Sequence, residues 1–206
     1  MVVLGITGGV GSGKSRVLYD LQENYNAYII EADKLAHQLM KPGQTIYNSV
    51  LDAFGRDILC KEEPYEIDRG ILGNIVFNDK EKLALLDRIS HPLVKEDILR
   101  QIQKAKKDGI IKLFVIEAAL LIQDGYSEIC DEIWYVWVEK EERIKRLMES
   151  RGYTREKCIS MMNSQADDEY YKKYANFTIN NQFDYTNSSN QLKARLNKLL
   201  NNDIMS

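Results

Sequence analysis

Cysteine and histidine are scarce in this 206-residue chain, and each shortage closes off a class of function. Cys60, Cys130 and Cys158 are odd in number, far apart and without a CxxC pair, so neither a disulfide framework nor a zinc site is expected. His37 and His91 are the only histidines, which excludes a histidine-rich metal centre. A basic excess is missing too: 28 Lys and Arg stand against 31 Asp and Glu, for a net charge of −3. That balance offers no electrostatic footprint for a nucleic-acid backbone. No stretch approaches the roughly 18 apolar residues of a membrane helix, and the most apolar run, residues 113–122, contains Glu117. The first residues have neither the positive region nor the cleavage site of a signal peptide, so none is expected. With 44% hydrophobic and 29% charged residues, the composition is that of an ordinary globular protein. The expectation is a single cytoplasmic domain with reduced thiols.

Apolar strands alternate with helical stretches along the chain. Residues 1–6 are apolar and β-branched and stop at a glycine cluster, which predicts a buried strand feeding a tight turn. A helix is predicted over 15–23, and a second short strand over 27–30, ahead of Glu31-Ala32-Asp33. Residues 34–107 carry a helical pattern, with apolar residues three and four apart, as at Val94, Ile98 and Ile102. Pro42-Gly43, Gly55, Pro64 and Pro92 punctuate that block. Strands are predicted at 110–116, 132–138 and 177–179, and helices at 139–150 and 155–164. An Asn-rich loop is expected over 180–190, before a closing helix that carries Leu192, Leu196, Leu199 and Leu200. The pattern predicts an α/β fold, a doubly wound parallel sheet covered on both faces. The 34–107 block is too long for a plain crossover and is expected to form a subdomain over the carboxyl ends of the strands, where ligands bind in such sheets.

Gly8-Gly9-Val10-Gly11-Ser12-Gly13-Lys14-Ser15 matches G-x-x-x-x-G-K-[ST] in full. Glycines let successive backbone N–H groups turn inward around an anion, where a Cβ would clash. The helix starting near Gly13 adds the partial positive charge of its amino end. In this motif the lysine, here Lys14, reaches the β- and γ-phosphates, and the hydroxyl, here Ser15, ligates Mg²⁺. Flanked by a predicted strand and a predicted helix, the segment reads as a nucleoside triphosphate site; the bland alternative is a glycine-rich hairpin with no ligand.

Other residues carry two readings each. Asp33 is either a proton acceptor or holder of metal-bound water, or the N-cap of a helix bearing Leu35 and Leu39. Glu117 is either a carboxylate standing behind magnesium or a strand-end surface charge. Arg143, Arg146, Arg151 and Arg155 crowd one predicted helix and its exit, either as clamps for triphosphate charge on a mobile segment or as a solvated face. His91-Pro92 either binds a substrate phosphate or marks a helix junction.

Taken in order, these residues resemble the dephospho-coenzyme A kinase family over nearly the whole chain. The opening Gly5-Ile6-Thr7-Gly8-Gly9 through Ser15 is similar to that family's, as is Ala32-Asp33 after the second strand. Ile67-Asp68-Arg69 with Leu72 and Phe77, then Ser90-His91-Pro92, resembles its acceptor-side block. Glu117-Ala118-Ala119-Leu120-Leu121, Val136, Val138, Arg146-Leu147-Met148, Gln165 and residues 175–181 follow its later segments. The resemblance implies a P-loop kinase-like domain with a nucleotide-binding core of residues 1–33, 108–138 and 173–206. It also implies a helical CoA-binding subdomain over 34–107 and a lid over 139–172. The implied reaction is ATP-dependent phosphorylation of the ribose 3′-hydroxyl of dephospho-CoA with Mg²⁺, on small-molecule substrates and with no obligate protein partner. By position, Asp33 is the implied base, Lys14 the phosphate ligand, Ser15 the magnesium ligand and Arg146 the lid cation. Residues 8–16, including Val10, Ser12 and Arg16, would surround ATP, and Arg69, His91 and Leu120 would face the acceptor.

Several positions depart from the family's pattern. Arg16 replaces a Thr, Ala119 and Gln123 replace Pro and Glu, and Ser150 replaces an Arg, with Arg151 about 100° further round a helix. Asn176 and Asn180 replace Asp residues where adenine contacts are expected. Two other functions stay open: a P-loop kinase for a nucleoside, nucleotide or other small metabolite, and a GTP-driven switch. The second draws on Asp52-Ala53-Phe54-Gly55 as a D-x-x-G, but no N-K-x-D guanine reader occurs.

Overall fold

A computed structural model describes the backbone of residues 1–204 and the side chains through residue 200. The elements are β1 (Val2–Thr7), α1 (Lys14–Tyr25), β2 (Tyr28–Glu31), α2 (Ala32–Leu39), α3 (Tyr47–Phe54), α4 (Arg69–Asn78) and α5 (Lys80–Asp108). They continue with β3 (Leu113–Glu117), β4 (Glu132–Trp137), α6 (Lys140–Arg151), α7 (Arg155–Asn163), α8 (Asp168–Tyr174), β5 (Phe177–Asn180) and α9 (Tyr185–Ile204). The strands form one sheet in the order β2-β3-β1-β4-β5. Strand β1 pairs in parallel with β3 and β4, and β4 in parallel with β5.

Parallel strands need cover on both faces, which is why β1 is apolar throughout and buried at every position. Val2, Leu4 and Ile6 share one core with Val17 and Leu21 of α1, Trp134 and Val136 of β4, and Leu192 and Leu196 of α9. Register then decides what meets at the sheet's carboxyl edge. Ile6 lies opposite Glu117, and Thr7 opposite Tyr135, so the glycine loop leaving β1 emerges beside the carboxylate that ends β3.

The chain divides into two compact units, residues 30–107 and the remainder. Within the first, Asp68 caps α4 by accepting from the N–H groups of Gly70 and Ile71 at 2.8 and 3.0 Å, which starts that helix at Arg69. Leu59 and Ile67 bridge antiparallel just upstream. Asp52-Ala53-Phe54-Gly55 closes α3, and Gly55 ends it with φ at 83°. That D-x-x-G is a helix terminus, not the strand-borne loop of a GTP switch. All three cysteines are free, and burial pushes the Cys130 thiol up to about 12.

Two local expectations are corrected. Pro92 does not break the helical block; α5 runs through it for 29 residues. An interior proline costs about 3 kcal/mol, whereas Val94, Ile98, Ile102 and Ala105 are all buried beyond it. Each large apolar side chain so buried returns about 1.5–3 kcal/mol. The Asn-rich loop is also shorter than expected, since α9 already begins at Tyr185. Tertiary ties outweigh the weak helix propensity of its Asn residues. Ser188 Oγ donates to Asn181 Oδ1 at 2.7 Å, and Tyr185 and Ser189 donate to Asp20.

Asp20 fastens α1, and with it the glycine loop, to α9. It is 4% exposed and accepts from Asn24 Nδ2 at 2.6 Å and from Tyr185 Oη and Ser189 Oγ at 2.8 Å. Burial opposes its charge, but these donors and Arg16 outweigh it and hold the carboxyl below its ordinary range. Asp20→Ala is expected to lower stability by about 1–3 kcal/mol, seen in thermal unfolding. The contribution is complete above the ordinary value of 3.8 and fades as the pH falls through the lower folded value. Acid unfolding of wild type and variant should therefore converge.

Candidate active site

Residues 8–13 wrap from the end of β1 into the amino end of α1. Gly13 adopts φ of 87° as the residue before the helix, and a Cβ there would strike Asn181 Nδ2, so only glycine fits. Lys14 Nζ donates to the Gly8 carbonyl at 2.8 Å and stands 3.6 Å from Glu117 Oε1. Both side chains are largely shielded, at 17% and 13% exposure, so water screens their attraction little. Glu117 is therefore not a solvated strand-end charge. The hydroxyls of Thr7 and Ser12 are buried with no hydrogen-bond partner among the described residues. Such orphaned groups cost about 1–3 kcal/mol each and suit phosphate oxygens as acceptors. Ser15 is exposed in the first turn of α1. Arg16 packs its guanidinium on Tyr185, 4.8 Å from the ring centre.

The four arginines separate into distinct roles. Arg146 Nη2 donates to the carbonyls of Asn181 and Gln182 at 3.0 and 3.3 Å, and its Nε donates to Glu142 at 3.0 Å. Its Nη1 lies 3.9 Å from where a Gly13 Cβ would be, against the start of α1. Arg143 is buried and its Nε donates to the Val10 carbonyl at 2.9 Å. Arg155 is held by Glu141 through two 2.8 Å hydrogen bonds, and Arg151 is exposed. Ser150 turns its hydroxyl back onto the Arg146 carbonyl. Val10 of the loop packs with Ile144, Leu147, Cys158 and Met162 of this segment.

In the unit of residues 30–107, Asp33 is the second residue of α2 and is exposed. The N-cap is Glu31, so Asp33 is not the cap that its position suggested. His37, one turn further on, lines a cavity of about 690 Å³ together with Lys41, Arg69, Leu72, Val76 and Leu86. Burial and the Arg69 cation hold His37 below its ordinary pKa against the pull of Asp33. His91 lies outside that lining and faces Asp87 at 3.5 Å on its own helix. Leu120 belongs to the other unit, exposed in the turn after β3.

Three side chains at the loop go beyond the implied set. Asn181 Nδ2 donates to the Ser12 carbonyl at 2.8 Å, Gln165 Oε1 accepts from Val10 N–H at 2.8 Å, and Asp168 stands 3.7 Å from Arg143. Asn181 follows a parallel strand, so its place at the ligand edge is readable from topology. Asp168 carries no such signal. Asn176 accepts from Ile133 N–H at the amino ends of β4 and β5, the edge opposite the glycine loop, which removes it from the expected adenine contacts.

Comparison with known proteins agrees with this geometry. A family model described as dephospho-CoA kinase matches residues 2–187. The dephospho-CoA kinase of Carboxydothermus hydrogenoformans is 37% identical over 196 residues, 95% of this chain and 93% of that one. That of Dehalococcoides mccartyi is 36% identical, over 95% of this chain and 97% of the relative. Among solved structures, the dephospho-CoA kinase from Campylobacter jejuni aligns with a TM-score of 0.71 at 27% identity, across 98% of both chains. A shikimate kinase from Acinetobacter baumannii, at 13% identity and a TM-score of 0.53, shares the fold alone. With the family model spanning nearly the full length, and relatives above 30% identity doing the same, the chain belongs to the dephospho-CoA kinase family.

Proposed function

We propose that the chain transfers the γ-phosphoryl group of ATP to the ribose 3′-hydroxyl of dephospho-CoA, giving coenzyme A and ADP. One observation carries the reading: in a chain of this family, the glycine loop and Lys14 meet Glu117 at the carboxyl edge of the sheet. The bond from the acceptor oxygen to phosphorus forms as the bond from phosphorus to the β–γ bridging oxygen breaks, and the hydroxyl proton passes to Asp33. Lys14 and the amides of the glycine loop other than those of Val10 and Ser12, which are already bonded within the protein, hold the β- and γ-phosphates, and Arg146 adds charge from the side of α6. Positioning and electrostatics supply most of the rate in such transfers.

Magnesium, when bound, neutralises charge on the β- and γ-oxygens. The Ser15 hydroxyl would hold it, with Glu117 close by. Among the described residues no group of three His, Cys, Asp or Glu side chains is arranged for a metal. Residues 34–107 are the acceptor part in this reading, and 139–172 the lid. The cavity in residues 34–107 is lined by the cations Lys41 and Arg69, which outnumber its one carboxylate, Glu66, and suit the acceptor's diphosphate, and by apolar Leu72, Val76 and Leu86, suited to its pantetheine arm. His91 and Leu120 keep an acceptor-side role by position alone.

Among the described residues no helix is long and apolar enough to cross a membrane, and a cytoplasmic enzyme of two small molecules is part of the same proposal. The test is incubation with ATP, Mg²⁺ and dephospho-CoA, followed by mass analysis. A product heavier by one phosphoryl group, lost when the metal is chelated, is expected. Phosphorylation of a nucleoside or another small alcohol, with dephospho-CoA left untouched, would refute the proposal.

A further inference from the structure

Arg143 has no part in the transfer outlined above, yet it is more deeply buried than the other arginines of α6. It is 7% exposed on a helix whose surface is mostly charged. Its Nε donates to the Val10 carbonyl at 2.9 Å, and its guanidinium fills the space a Cβ on Gly9 would take, with Cζ 2.6 Å from that point. Asp168 holds the other end at 3.7 Å from Nη1. That carboxylate is itself fixed from β4, accepting from Tyr135 Oη at 2.6 Å and from Trp137 Nε1 at 2.7 Å. Val10 N–H is bound by Gln165 at the same time, so both polar groups of the loop's apex residue are engaged by the segment from α6 to α8.

We infer that Arg143, held in place by Asp168, is a positioning residue for ATP that keeps the apex of the phosphate loop in its binding shape. A run of Gly-Gly-Val-Gly is conformationally loose, and its amides cradle an anion only while they converge. A loop ordered at folding need not be ordered again when the nucleotide arrives, and affinity rises accordingly. Gly9 and Arg143 are matched, since any larger residue at position 9 would displace the guanidinium. The inference rests on the proposed function only for the nucleotide, not for the acceptor.

The test measures ATP binding by titration calorimetry without acceptor, alongside KM for each substrate. Arg143→Met is expected to weaken ATP binding about tenfold or more, the loss of one charge-assisted hydrogen bond. KM for dephospho-CoA should stay within about twofold, as for an independent site. Arg143→Gln, which can still donate to Val10, should recover part of the affinity, and also serves if the Met variant folds poorly. Asp168→Asn should weaken ATP binding in the wild type but add nothing on top of Arg143→Met, because it acts through that arginine. Folded variants that bind ATP within about twofold of wild type while only their thermal midpoint falls would overturn the inference. So would full additivity of the two substitutions. A wild type that binds ATP without phosphorylating dephospho-CoA would refute the proposed reaction and leave this inference standing.

Discussion

Asp33→Asn is expected to lower kcat for acceptor phosphorylation by at least about 10²-fold, the usual contribution of a general base. The variant is a clean one. Asp33 is exposed, sits inside the first turn of α2, and makes no hydrogen bond among the described residues. Asparagine keeps its shape and removes only a charge, worth about 0.3–1 kcal/mol at a helix amino end. No cap is lost, since Glu31 is the N-cap of α2. Steady-state kinetics on the folded variant therefore report on the base role alone. A fall of less than about tenfold ends the assignment of Asp33 as the base.

Lys14→Met should reduce kcat/KM for ATP by about 10²–10³-fold, comparable to losing one preorganised donor to developing charge. Two effects act together. The ammonium proposed to hold the β- and γ-phosphates is gone, and the Glu117 carboxylate, 3.6 Å away and 13% exposed, loses the cation that offsets its repulsion of a polyanion. Adding Glu117→Gln to Lys14→Met should recover part of the ATP affinity but little of kcat, since repulsion is relieved and transition-state stabilisation is not. Binding and turnover of the single and double variants decide the matter. Retention of near wild-type kcat/KM by Lys14→Met would remove Lys14 from the phosphate site.

Much of this was legible in residue order. The strands were visible because a parallel sheet buries both faces, so β1, β3 and β4 appear as unbroken apolar runs. The phosphate loop was visible because its chemistry needs glycines, a lysine and a hydroxyl at fixed spacing. Glu117 was visible as a charge closing an apolar strand, but not as the partner of Lys14; that pairing follows from the register of β1 against β3. Pro92 misled because the local cost of a proline is plain in sequence, while the burial of Val94, Ile98 and Ile102 that offsets it is not.

The sequence by itself determined the fold class, the phosphate loop and the family, because each rests on near neighbours or on an ordered set of motifs. Only the tertiary structure decided which arginine faces the loop, why α9 starts early, and where the cavity beside Arg69 lies. Arg143 and Val10 are 133 positions apart, and Asp20 and Ser189 are 169. Periodicity reports which face of an element is apolar. It says nothing of which distant side chain that face will meet, and charged residues on one helix share the same local pattern until packing buries one and leaves another in water.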